Sequence, residues 1–405
     1  MKRPASIPVL TVSTSLAHGA DQLALAALPL VAALALKADA ALIGLLVAAQ
    51  SAAWLVVSLP AGAMIDRLPK RRLLVTAQLL AAFAFALAAL AAASGLPAAL
   101  GASVFLGAAG TVIFVLAGFA AVPGLASPAD LPRVNARLEL ARAVATLAAP
   151  VLAGAAAQAG LPALALAGAS LAALLAAATA RRLPPLPPAP SATPRPALGP
   201  AIAEGAGFVL RHPLLRAIAA CAITWNIAFF MLAACFIPFA LNRLGLSAGE
   251  AGIALGGYGV GLLLGALAAP HLARRWTPGI MLTLGPALSV LAGLALVAGP
   301  QVPGLALPIL AHFLIGFGPM LWQVSQTSLR QIVTPPALLG RVGATMQVAV
   351  FGVRPLGALA GGAIATGFGL DAAMIAAALG FALSTLVILL SPLVRLKRMP
   401  DTVTA

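Results

Sequence analysis

The sequence predicts an all-α integral membrane protein with 12 transmembrane helices in two parallel six-helix repeats, both termini on the cytoplasmic side. Composition, the placement of basic residues and an internal repeat each point that way. The chain is 62% hydrophobic and 8% charged, with a mean hydropathy of +1.07. A soluble domain is about 25% charged, so water is not the main solvent here. The net charge of +15 would suggest a nucleic-acid partner in a soluble protein. In this chain lysine and arginine concentrate in alternate loops instead, which excludes nucleic acid and names the lipid bilayer as partner.

A helix needs about 20 apolar residues to cross the roughly 30 Å hydrocarbon layer. Windows of that kind fall near 10–34, 41–64, 73–94, 98–122, 134–158, 161–180, 216–241, 248–271, 278–298, 303–326, 342–366 and 369–391. The third, sixth and twelfth are alanine-rich and rest on length more than on hydropathy. The start, Met1-Lys2-Arg3 before an apolar run, mimics a signal peptide, but His18, Asp21 and Gln22 interrupt the apolar stretch. A retained first helix is expected.

The loops then sort by charge. One side receives Lys2, Arg3, Arg67, Lys70, Arg71, Arg72, Arg133, Arg137, Arg181, Arg182, Arg195, Arg211, Arg216, Arg274, Arg275, Arg330, Arg341, Arg395, Lys397 and Arg398. The other receives Lys37 and Arg243. The rich side is cytoplasmic by the positive-inside rule. Cys221 and Cys235 share one span roughly 21 Å apart, too far for a disulfide, and no Cys/His cluster has metal-ligand spacing. No cofactor or metal is expected.

Residues 1–180 form the expected N-terminal bundle, 181–215 a cytoplasmic proline-rich linker, and 216–405 the C-terminal bundle with a short basic tail. Leu183-Pro-Pro-Leu-Pro-Pro188 opens the linker as a semi-rigid spacer, and Ile202–Leu210 suits a short amphipathic helix on the membrane surface. A repeat supports the division. Pro128-Ala-Asp-Leu-Pro-Arg133-Val-Asn-Ala136 matches Pro336-Ala-Leu-Leu-Gly-Arg341-Val-Gly-Ala344 at six of nine positions, offset by 208. Gly62-Ala63…Arg71-Arg72 echoes Gly265-Ala266…Arg274-Arg275. Both matches join loops on the same side, so the halves are parallel repeats, an arrangement of transporters with the substrate site at the repeat interface.

The turn Gly62-Ala-Met-Ile-Asp66-Arg67-Leu-Pro69-Lys70-Arg71 resembles the signature between the second and third helices of the major facilitator superfamily, with Pro69 where glycine is usual. Asp21 with Leu28-Pro29-Leu30, Glu204-Gly205…Arg211-His212-Pro213-Leu214, Ser328-Leu-Arg330-Gln331 leading to Gly340-Arg341, and Arg354-Pro355-Leu356-Gly357 are similar to the enterobactin-exporter and macrolide-efflux branch. Two departures stand beside these. The fourth span lacks the arginine common in proton-coupled drug antiporters, and the fifth has Ala149-Pro150-Val-Leu-Ala153-Gly154 in place of a glycine-richer motif. The resemblance implies a proton-coupled exporter of drugs or siderophore-like molecules in a bacterial inner membrane, multi-pass and monomeric, with protons as coupling ion.

It also implies that Gly62, Asp66, Arg67, Lys70 and Arg71 gate the cytoplasmic side, with Asp66 docking on the eleventh span near Gly340–Gly343 when that side is shut. A helix N-terminus carries about half a positive charge, which suits a carboxylate. The basic residues also serve as topology anchors.

Asp21 lies near the centre of the first span, where an acidic residue costs about 2.5–3.5 kcal/mol on insertion scales. Such a residue is functional by default. Thr11, Ser15, His18 and Gln22 give that span a polar stripe. Low dielectric favours the neutral form of a carboxyl group, which suits a proton carrier. Arg354 sits near the centre of the eleventh span, one face with Gln347, and needs a counter-charge, an anionic ligand or water. Asp21, His18 and Arg354 are the candidates for proton coupling. Gln22, Trp225, Asn226, Tyr258, His312, Trp322, Gln323 and Gln347 are the candidates for lining a substrate cavity. Glu139 and Arg142 are spaced for a local ion pair.

A metabolite importer of the same fold is the alternative. A polytopic membrane enzyme fits less well, because no Ser/His/Asp set or phosphate-cradling glycine loop is present. Replacing Asp66 with Asn should cut transport while leaving membrane insertion intact, measured as transport per unit of protein in the membrane fraction.

Overall fold

In the computed structural model, residues 6–126, 130–187, 198–335 and 338–400 are described. The first half holds α1 (Ser6–Leu34), α2 (Ala40–Arg67), α3 (Lys70–Ala93), α4 (Pro97–Leu125), α5 (Leu131–Gln158) and α6 (Pro162–Ala180). A shorter helix, α7 (Leu198–Arg211), precedes the second half: α8 (Pro213–Asn242), α9 (Ala248–Leu272), α10 (Pro278–Ala298), α11 (Ala306–Val333), α12 (Leu339–Gly352), α13 (Arg354–Phe368) and α14 (Leu370–Leu389). Among the described residues, 12 spans are long and apolar enough to cross a membrane, counting α12 and α13 as one.

Local chemistry sets the helix ends. Proline stands in the first turn of α4, α6, α8 and α10, where no intrahelical N–H is lost. Asp39 caps α2 by accepting from the Leu42 amide at 2.8 Å, and Ser247 with Glu250 forms a capping box on α9. The eleventh span departs from the unbroken helix expected near 342–366. It breaks at Val353, between α12 and α13. Pro355 lacks an N–H and its ring collides with the carbonyl one turn back, so the helix stops and restarts at Arg354.

Small residues hold the halves together. In hydrocarbon, apolar burial alone gives helices little reason to associate, and close packing matters more. A Cβ added to Gly154 of α5 would lie 2.7 Å from the Ala248 carbonyl oxygen of α9, and one on Gly252 of α9 would lie 2.6 Å from that of Pro150. The same closeness joins α2 to α13, where a Cβ on Gly44 would meet the Ala358 oxygen at 2.7 Å. Both contacts lie at the end away from the termini, and there one core runs through both halves, from Leu28 and Ile43 to Phe236 and Phe239.

The basic end is arranged differently. Its two cores are separate: Leu10, Leu73, Leu74 and Phe114 belong to one half, Leu215, Leu282, Leu329 and Ile388 to the other. A Cβ on Gly62, Gly340 or Gly343 would meet nothing within 4 Å. The two halves therefore part toward the end that carries the basic loops.

Helix α7 also differs from expectation. It begins at Leu198 rather than 202, with Pro200 tolerated in its first turn. Its apolar side does not simply rest on a membrane surface: Val209 is buried and Phe208 packs into the core that holds Val342 and Met346 of α12. Glu204 pairs with Arg341, and a Cβ on Gly205 would lie 2.5 Å from the Arg341 carbonyl oxygen. On the first half, the linker's opening is held by the Lys70 amide bonding the Leu186 oxygen at 2.9 Å and by Arg71 bonding the Leu183 oxygen at 3.1 Å. The proline-rich stretch beyond Pro187 lies outside the described residues up to position 197.

Replacing Gly154 or Gly252 with leucine should each cost about 1–3 kcal/mol by overpacking. The double variant should lose less than the sum, because both changes open one contact. Gly118→Ala, where an added Cβ meets nothing within 4 Å, serves as the control and should unfold at or above the wild-type temperature in detergent.

Candidate functional site

Between the halves lie two adjoining chambers, a larger one of about 630 Å³ and a smaller one of about 350 Å³. Phe119, Gln347, Phe351 and Arg354 line both. Arg354 is at the boundary because the break in the eleventh span places it in the first turn of α13. Its Nε donates to Asn226 Oδ1 of α8 at 3.1 Å. The Asn226 amide is itself fixed, donating to the Ala222 carbonyl at 2.9 Å. The guanidinium lies over the rings of Phe351 at 4.0 Å and Phe230 at 5.0 Å, so aromatic faces supply part of the charge stabilisation. Phe351 in turn stacks on Trp54 of α2 at 4.5 Å, which ties the arginine's platform to the opposite half.

The smaller chamber gathers Asp21, His18 and Gln22 of α1 with Gln50 of α2, Thr111 of α4 and Arg142 of α5. Gln22 Nε2 donates to Asp21 Oδ2 at 3.3 Å. His18 Nε2 lies 3.1 Å from Thr146 Oγ1. Asp21 and Arg354 share this chamber without forming an ion pair. The larger chamber is walled by Trp225, Tyr258 and Trp322, with Asn226, Gln323 and Gln347 as neutral hydrogen-bonding groups. Trp225 is held flat by stacking on Phe229 at 5.0 Å and by donating from Nε1 to Ser289 Oγ at 2.9 Å.

The structure thus brings together His18, Asp21, Gln22, Gln347 and Arg354 around one chamber, and Trp225, Asn226, Tyr258, Trp322, Gln323, Gln347 and Arg354 around the other. His312 does not join them. It is 3% exposed, packed edge-on to Phe236 at 4.3 Å, with Nδ1 2.9 Å from the Pro308 carbonyl. Among the gating candidates, Gly62 and Arg67 are exposed and Lys70 and Arg71 hold linker carbonyls. The Asp66 side chain lies outside what is described, and a Cβ on Gly62, Gly340 or Gly343 would meet nothing within 4 Å.

Several lining residues had no expectation attached. Arg142 pairs with Glu139 at 2.7 Å as its spacing suggested, yet its guanidinium also lies over Phe119 at 4.6 Å and reaches the smaller chamber. Arg330 counted as a loop residue but lines the larger chamber from α11. Gln50, Ser51 and Trp54 were visible as a polar and aromatic patch inside the apolar second span, a signal of the same kind as Asp21.

A membrane-spanning bundle of two repeats around a polar central cavity defines a transporter. The chain belongs to the Major Facilitator Superfamily, whose sequence pattern matches residues 10–358. No curated protein matches the chain. Solved structures share its fold at low identity. The nucleoside transporter NupG aligns at TM-score 0.77 and 13% identity over 95% of this chain and 98% of that one. A peptide transporter, POT, in complex with sulfate gives 0.79 and 13% over 98% and 96%. A bacterial homolog of the human lysosomal transporter Spinster, inward-facing and unoccupied, gives 0.72 and 14% over 96% and 97%.

Replacing Asn226 with leucine leaves the Arg354 Nε without its acceptor and should cost about 1–3 kcal/mol. Asn226→Asp, which keeps an acceptor and adds charge, should unfold at or above the wild-type temperature. Thermal unfolding of both variants in detergent checks the pair.

Proposed function

We propose that this membrane transporter is proton-coupled and moves small amphipathic molecules by alternating access, with the basic end facing the cytoplasm of a bacterial inner membrane and the two chambers as its binding region. One observation carries the reading: Asp21, a carboxyl group at mid-helix, lines a chamber shared with Arg354 of the other half. An intramembrane acid so placed is functional by default, and carrying a proton is one of the roles such residues take in transporters. Its charge acts on an arginine whose helix belongs to the opposing bundle, so gaining or losing a proton alters the attraction between halves. Parting of the halves at the basic end and tight glycine contacts at the other are one of the two states such a cycle requires. The Gly62–Arg71 turn closes the basic end in the other state.

Export in exchange for protons is the direction that the resemblance to enterobactin and macrolide exporters supports. A cationic substrate fits it, since a cation beside Asp21 displaces the proton. A second reading, uptake of a metabolite together with protons, is favoured by a different observation. The larger chamber carries Arg330 and Arg354 and, among its described lining residues, no carboxylate. An anion held by Arg354 is compatible with a neutral Asp21, and proton and substrate then travel together.

A deletion-and-complementation screen for drug susceptibility and siderophore secretion supplies substrates. Proteoliposomes with a trapped pH dye then read proton movement. Wild-type protein should couple the two flows, and Asp21→Asn should lose coupled proton movement at least tenfold while keeping substrate exchange. Transport that ignores the proton gradient and is unaltered by Asp21→Asn overturns the reading.

A further inference from the structure

We infer that the larger chamber binds an organic anion: a planar aromatic body carrying a single carboxylate or equivalent group, gripped by Arg354 and attracted by Arg330. The inference rests on the reading of this cavity as the substrate site and names the substrate's chemical class.

Charge comes first. Two guanidinium groups line the chamber, and among its described lining residues there is no Asp, Glu or His. Arg354 uses only Nε, toward the neutral Asn226. Its terminal nitrogens make no hydrogen bond to any described residue. Arg330 is half-buried on α11 and has no hydrogen-bonding or ionic partner among the described residues. A guanidinium stays protonated, so away from bulk water each group calls for a negative partner. Asp21 shares the smaller chamber with Arg354 and acts on it from a distance, but forms no ion pair with it, so the terminal nitrogens keep room for a contact anion.

Shape and wall chemistry complete the description. Trp225, Tyr258 and Trp322 present aromatic surface, and Gln323 and Gln347 present amide groups without charge. Such walls suit a flat ring system with a few hydrogen-bonding substituents. About 630 Å³ is within the range of pockets that hold drug-sized molecules. The carboxylate is placed on the free terminal nitrogens of Arg354, in the two-point geometry guanidinium groups favour. Arg330 lies on the basic-end portion of α11, where a fixed positive charge draws anions from that side.

The test uses purified full-length protein and three naphthalene probes of one ring and different charge: 2-naphthoate, 2-naphthylmethanol and 2-naphthylmethylammonium. Calorimetric titration at neutral pH should show 2-naphthoate binding at least tenfold more tightly than the ammonium probe, with the alcohol between them. Arg354→Gln should weaken naphthoate at least tenfold, Arg330→Gln at least threefold, and Arg354→Lys should recover part of the loss. Asp21→Asn, which fixes a neutral side chain beside Arg354, should tighten it. Each variant is checked for wild-type elution on size exclusion and a cooperative melt, so that misfolding is not read as lost affinity. Equal or tighter binding of the ammonium probe, unchanged naphthoate affinity in both arginine-to-glutamine variants, or no naphthoate binding at millimolar concentration overturns the inference. Arginine-dependent naphthoate binding alongside proton-independent transport removes the proposed coupling and leaves the anion class standing.

Discussion

The interaction on which everything else depends is backbone against backbone, without side chains between. In lipid, neighbouring helices compete with acyl chains of equal apolarity, so only closeness of fit distinguishes a partner helix from the solvent. The glycines of α5 and α9, and those of α2 and α13, supply that closeness at one end of the molecule. The α5–α9 contacts continue to mid-membrane, where a Cβ on Gly259 would lie 2.5 Å from the Leu147 Cα, so the halves meet over that portion and diverge toward the basic loops. The cavity follows from that divergence, and the polar groups inside it need no lipid-facing position.

Arg354 shows how a sequence irregularity shapes the cavity. Pro355 denies the helix one hydrogen bond, and the break that results delivers the preceding side chain to the boundary between chambers. Asn226 fixes the guanidinium from one edge, and Phe351 and Phe230 cover it from the faces. Phe351 is itself stacked on Trp54 of the other half. In the proposed coupling, a change in charge at Asp21 acts on a group braced on both bundles.

The fold was legible in the sequence because membrane burial writes itself in long windows and alternating loop charge. Both are properties of single segments. Asp21, Gln22 and Arg354 were legible for the same reason: a polar group amid twenty apolar ones stands out regardless of its neighbours. Partnerships were not. The spacing of Glu139 and Arg142 revealed their pair but not the Phe119 ring over which Arg142 also lies. Arg330 looked like a topology anchor because its distance along the chain from the loop is short, whereas its depth depends on where α11 ends. His312 was proposed for the cavity from its span alone, and helix rotation turned it into the packed interior against Phe236. Rotation about a helix axis is what hydropathy cannot convey when all faces are apolar. The break at Val353 was written in Pro355, but a window of uniform hydropathy masked it.

The linker has a mechanical consequence. Its opening is fastened to the first half, where Lys70 and Arg71 hold Leu183, Leu186 and Pro187 by their carbonyls. Its far end is fastened to the second half through Glu204 on Arg341 and the seat of Gly205. Each half therefore carries its own fastening for the linker at the basic end, so a segment that hydropathy alone reads as free between the bundles is tied at both of its described ends to the bundle it adjoins.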